Sequence, residues 1–149
     1  MYLKILLQNK SIYKIGSSAI LIINLIKNIL NIYDDNMYKL MEANMKLQVL
    51  VSCMHQQDYS LLEKMNIQTD AIIINQCDIN KFEDIKYRNN LVKFISLNER
   101  GVGKSRNNAL LRADSDICLF ADEDVSYVDG YEDIIIKAFK KNPDADIIL

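Results

Sequence analysis

The chain is poor in the residues that break or bend a backbone. Its 149 residues hold one proline and four glycines, which leaves no long flexible linker between parts. Tryptophan is absent and His55 is the single histidine. The three cysteines, Cys53, Cys77 and Cys118, are far apart and form no C-x-x-C. A zinc centre would need nearly all four of these ligands to converge, so they read as reduced, buried thiols of a cytosolic protein. The formal net charge is only −2, so no charge-driven attraction to nucleic acid is expected. Long hydrophobic runs are missing too. The stretch from Ala19 to Ile26 is broken at Asn24 and stops at Lys27. A transmembrane helix needs about 20 apolar residues, and no small-residue cleavage site follows to make this a signal peptide.

Composition changes near Met45. Residues 1–44 draw on Ile, Asn, Lys and Tyr, and Ile22, Leu25, Ile26, Ile29, Leu30 and Tyr33 recur at helical spacing. Asn24, Lys27, Asn28, Asn31 and Asp34 occupy the opposite face, which predicts an amphipathic helix. Such a helix packs on the domain or rests on a membrane surface, a peripheral contact at the inner face. A third reading treats residues 1–44 as an extension outside the core fold, because Met45 is followed at once by a strand-like run.

From Met45 onward apolar runs alternate with helical patterns. Strands are predicted at Leu47–Ser52, Ala71–Asn75, Leu91–Leu97 and Ile117–Ala121, with a fifth starting in the final "ADIIL". Helices are predicted after Asp58, over "KSRNNALLRA", and over "YEDIIIKAFKKN", the last stopped at Asn142-Pro143. Strands apolar throughout and separated by helices imply an α/β fold, a Rossmann-like, doubly wound, mostly parallel sheet covered on both faces. Ligands of such sheets bind beyond the carboxyl ends of the strands.

Four polar clusters fall at those ends. Ser52-Cys53-Met54-His55 follows the first strand and Asn75-Gln76-Cys77-Asp78 the second. "NERGVGKSRNN" follows the third and "ADEDVS" the fourth. Asp122 and Asp124, one residue apart at the boundary of a buried strand, can approach one divalent cation from a single turn. Mg²⁺ and Mn²⁺ take oxygen ligands of this kind. The same acids could equally be solvated, or could cap the helix that begins near Asp129. The glycine stretch ends like a Walker A loop at Gly103-Lys104-Ser105, which raises a P-loop NTPase as an alternative. Asn98 stands where that motif needs its first glycine, however, and the loop follows the third strand rather than the first. Gly101 and Gly103 allow a tight turn, and Arg106 and Asn107 open the next helix, whose positive end faces the crevice.

Taken together, "GVGKSRNNALLRADSDICLFADEDV" resembles glycosyltransferase family 2: a glycine turn, an Arg-Asn pair opening a helix, a strand, and a D-x-D motif. "LQVLVSCMHQ" and "DAIIINQCD" are similar to that family's first two strands and their turns. The resemblance runs from Leu47 to Leu149 and implies a GT-A fold. It implies a nucleotide-diphosphate sugar donor, UDP-linked above all, and a saccharide or lipid-linked acceptor, with inversion at the anomeric carbon. By position, Asp122 and Asp124 would hold Mg²⁺ or Mn²⁺. Arg106, Gly103 and Asn107 would border the nucleotide, and Ser52, Cys53 and Asp78 would lie by base and ribose. The first turn carries Cys53-Met54-His55-Gln56 in place of the family's Pro-Thr-Tyr-Asn, and the second carries Gln76-Cys77-Asp78 in place of Asp-Gly-Ser. The family's acceptor wall and general base come later in its sequence, so no catalytic residue is assigned. Residues 45–149 then read as a truncated, donor-binding half, and the alternative is a non-catalytic nucleotide-sugar-binding remnant.

Overall fold

The computed structural model describes residues 4–7 and 45–148. Seven strands form one sheet: β1 (Lys4–Leu7), β2 (Leu47–Met54), β3 (Asp70–Gln76), β4 (Lys81–Tyr87), β5 (Asn90–Leu97), β6 (Ile117–Asp122) and β7 (Ile147–Ile148). Their order is β4-β5-β3-β2-β6-β1-β7. Every pairing is parallel except β4 with β5. Among the described residues, three helices join them: α1 (Ser60–Lys64), α2 (Val102–Leu110) and α3 (Tyr131–Lys141). The fold is therefore α/β with a mostly parallel sheet, and the strands expected after Met45 are all present.

Both sheet faces are covered, which is why the central strands are apolar at most positions on both sides. On one face Val49, Val51, Ile73, Phe94 and Leu119 join one core with Leu61 and Leu62 of α1 and Ile135 and Phe139 of α3. On the other face Leu50, Ile72, Ile74, Ile95 and Phe120 pack with Ala109 of α2. Each fully buried Leu, Ile or Phe contributes about 1.5–3 kcal/mol. That exceeds the modest helix propensity of Gly103, Asn107 and Asn108, so packing rather than propensity holds α2 in place.

Three features depart from expectation. Strand β4 forms a hairpin with β5 across Arg88 and Asn89, both at positive φ (47° and 69°). Its burial alternates, with Glu83, Ile85 and Tyr87 half-buried and Phe82, Asp84 and Lys86 exposed. It is an edge strand without a continuous apolar run, which is why it escapes the pattern of buried strands. Helix α1 starts at Ser60 with Tyr59 as N-cap, while Asp58 accepts the Ser60 N–H one position early at 2.9 Å. Within residues 1–44, assigned to an extension outside the core, Lys4–Leu7 forms a strand between β6 and β7. The amphipathic helix expected around Ile22–Tyr33 lies outside the described residues. No helix among the described residues is long and apolar enough to cross a membrane.

Candidate functional site at the strand ends

The carboxyl ends of β5, β3, β2 and β6 lie side by side. In register, Ser52 stands opposite Asp122, Cys53 opposite Asn75, and Asn75 opposite Ser96. Side chains alternate across a strand, so Ser52 and Asp122 share the α2 side with Leu50 and Phe120. Cys53 therefore turns away. Its thiol sits in the opposite core, 2 % exposed, with Sγ 3.5 Å from the Ile74 carbonyl oxygen. Burial, with the Glu123 charge nearby, pushes that thiol up to about 12. The assignment of Cys53 to the base and ribose thus meets a residue turned into the core.

Helix α2 supplies the other half of the cluster. Ser52 Oγ donates to Ser105 Oγ at 2.8 Å. The next residue, turned a further 100° around the helix, is Arg106, whose Nη2 reaches both carboxylate oxygens of Asp122 at 3.1 Å. The Arg106 side chain is 12 % exposed and that of Asp122 40 %. This pair sits at the rim, wet on the acid side and enclosed on the guanidinium side. Asn107 points to solvent, and Lys104 is exposed as well. The Ser105 hydroxyl, which a P-loop would offer to a cation, is buried against Ser52.

The glycine turn is braced differently from the expectation. Gly101 is the N-cap of α2 at φ 122°, a conformation that side chains disfavour. Gly103 already lies inside the helix. The Gly101 N–H donates to Gln76 Oε1 at 2.7 Å, and Arg100 donates to the Cys77 carbonyl oxygen and to Asp78 Oδ1, both at 2.6 Å. Asp78 is thus tied to the loop after β5, on the opposite side of β2 from the Arg106–Asp122 pair.

A second network links the turns after β2 and β6. Glu123 Oε2 accepts from the Met54 N–H at 3.2 Å and from Gln56 Nε2 at 2.7 Å. Gln56 exchanges two further bonds with Asn75: its N–H to Oδ1 and its carbonyl oxygen from Nδ2, both at 3.0 Å. Asn75 also donates to Ser96 Oγ at 3.2 Å. Of these residues, Asn75 and Ser96 are register partners at the strand ends, while Gln56 and Glu123 lie in the turns beyond β2 and β6. His55, held between them at φ 53°, is exposed.

For a cation, the D-x-D turn offers Asp122, half-buried, and Asp124, exposed, with Glu123 committed to the β2 turn. No group of three His, Cys, Asp or Glu side chains among the described residues is arranged to hold a metal ion. Two carboxylates suit Mg²⁺ or Mn²⁺ when phosphate oxygens complete the shell, but not a cage built from protein alone. Compared with protein-family models, with curated proteins and with solved structures, the chain matches none of them.

Proposed function

We propose that the crevice at the ends of β2 and β6 is the donor site of a family 2 type glycosyltransferase with a GT-A fold. It takes a nucleotide-diphosphate sugar, UDP-linked above all, with Mg²⁺ or Mn²⁺ at Asp122 and Asp124. The observation that supports this reading is the meeting of Arg106 and Asp122. Sixteen residues apart, they converge at 3.1 Å at the carboxyl ends of a parallel sheet, next to the start of α2. That edge is where such sheets bind ligands, and a helix N-terminus favours an anion.

Each residue has a role that follows from its place. Asp122 and Asp124 supply oxygen ligands at the rim. The Arg106 guanidinium, already fixed by packing, offers N–H groups to phosphate oxygens. Ser52 and Ser105 hold strand end and helix together beneath them. A bound divalent cation would neutralise charge on the leaving diphosphate. Transfer to a saccharide or lipid-linked acceptor completes the proposed reaction.

Calorimetry with UDP and Mn²⁺ tests the reading. Metal-dependent binding that Asp122→Asn abolishes, while the variant stays folded, is the expected result. Absence of binding in the native chain would sink it. Adding a UDP-sugar and following its consumption then separates an enzyme from a binding module.

A further inference from the structure

Strand β4 is the outermost strand of the sheet, and among the described residues nothing pairs with its outer side. It closes on β5 through Arg88-Asn89, both at positive φ, so Tyr87 and Asn90 form the closing pair of a two-residue hairpin. That pair exchanges both backbone hydrogen bonds, and such pairs alternate along an antiparallel ladder. Lys81, Glu83, Ile85 and Tyr87 therefore turn their N–H and C=O groups towards β5. Phe82, Asp84 and Lys86 turn theirs outward. The register runs unbroken from Lys81 to Tyr87, with neither a proline nor a bulge to spoil the edge.

The side chains of the outward residues are unengaged as well. Phe82, Asp84 and Lys86 lie opposite Ile95, Lys93 and Leu91, on the α2 side of the sheet. Phe82 is 64 % exposed. Among the described residues, the side chains of Asp84 and Lys86 hold no hydrogen bond or ion pair. On the other side the Glu83 charge is already met, by Lys81 Nζ and by the Tyr59 hydroxyl, both at 2.7 Å.

Charged side chains on an edge normally repel a second strand. Here they select one. For two copies of β4 paired antiparallel, a two-fold axis through Glu83, Asp84 or Lys86 sets a like charge opposite itself, which is destabilising. An axis through Ile85 sets Ile85 opposite Ile85 and Asp84 opposite Lys86 at both symmetry-related places. Asp84 and Lys86 both face outward, so their backbone groups bond in that same register. We infer that β4 is a self-association edge: two copies of this chain pair antiparallel over Glu83–Tyr87, centred on Ile85, and join their sheets into one. β5 and β3 lie between this edge and the crevice at β2 and β6, so association leaves the proposed donor site free.

Sedimentation equilibrium of the full 149-residue chain, from micromolar to submillimolar concentration, is the test. The native chain should form a dimer. Asp84→Lys and Lys86→Asp each set like charges opposite one another at both places, and each should weaken dimerisation about tenfold or more. An equal mixture of the two variants regains both opposite-charge pairs, and its heterodimer should return to within about threefold of the native affinity. Amide exchange in the native chain supplies a readout free of any folding defect in a variant. Exchange at Asp84 and Lys86 should slow as concentration rises, while Glu83 and Ile85, bonded to β5, stay protected throughout. A native chain that remains monomeric over this range would overturn the inference. So would single variants that dimerise as tightly as the native chain, or folded variants whose mixture recovers nothing. Slow exchange at Asp84 and Lys86 that does not depend on concentration would place another segment of the same chain on the edge, and would overturn it equally.

Discussion

Ser52 Oγ lies 2.8 Å from Ser105 Oγ, and both hydroxyls are buried. This bond ties the end of β2 to α2. Removing either hydroxyl leaves the other without its partner, at a cost of about 1–3 kcal/mol. Removing both leaves no orphan. Urea unfolding of Ser52→Ala, Ser105→Ala and the double variant should therefore show the pair costing clearly less than the sum of the singles. Strict additivity would mean that the bond contributes nothing.

Gly101 carries the conformational demand of the glycine turn. At φ 122°, an alanine has open space for its Cβ but an unfavourable backbone. Gly101→Ala should destabilise by roughly 1–3 kcal/mol. Gly103→Ala carries no such backbone cost, because Gly103 is helical. Thermal unfolding of the two variants checks the contrast.

In the proposed donor site, Arg106 and a cation would compete for Asp122. Replacing Arg106 with glutamine removes the guanidinium that holds both carboxylate oxygens. Without nucleotide, Mn²⁺ affinity should rise by about tenfold, equivalent to about 1.4 kcal/mol of released attraction. UDP affinity in the presence of Mn²⁺ should fall, because the phosphate partner is gone. Opposite signs for the two ligands are the diagnostic result in calorimetry; a fall in both would point to a purely structural pair.

The thiols make stability sensitive to alkali. Burial pushes Cys53 and Cys118 up to about 12 from an ordinary 9.0. The folded state then holds protons that the unfolded chain releases. Their contribution is complete below pH 9 and is lost as pH rises through the folded value. Urea midpoints should drop between about pH 9 and about pH 12, and a Cys53→Ala, Cys118→Ala variant should show a shallower drop over that window. Reaction with a thiol reagent at neutral pH should be slow at both positions until the chain unfolds.

The central sheet is legible in the sequence because strands buried on both faces leave unbroken apolar runs. The edge strand β4 is not, since "KFEDIKY" alternates charge with apolar residues, and its turn uses Arg88-Asn89 rather than glycine. At the crevice, Arg106 and Asp122 come together because one stands in the second turn of α2, not at its opening as the sequence suggested, and the other closes β6 at the same sheet edge. Ser52 and Cys53 could not both face that crevice, since neighbours on a strand point to opposite faces. That rule was available from the sequence. The roles of Gln76, Arg100, Gln56 and Glu123 were not, because hydrogen bonds between loops leave no periodic trace.

The placement of β1 has a consequence for how the chain folds. Among the described residues, Lys4 pairs in register with Ile117, and β7 joins the sheet through β1. Lys4–Leu7 thus pair with strands that lie far along the chain, at Ile117–Phe120 and Ile147–Ile148. Pairs this distant in sequence are closed late, after local units have formed. The β2–β3–β5–β6 unit should therefore assemble first and show the slowest amide exchange. The β6–β1–β7 margin should join in a separate, slower step.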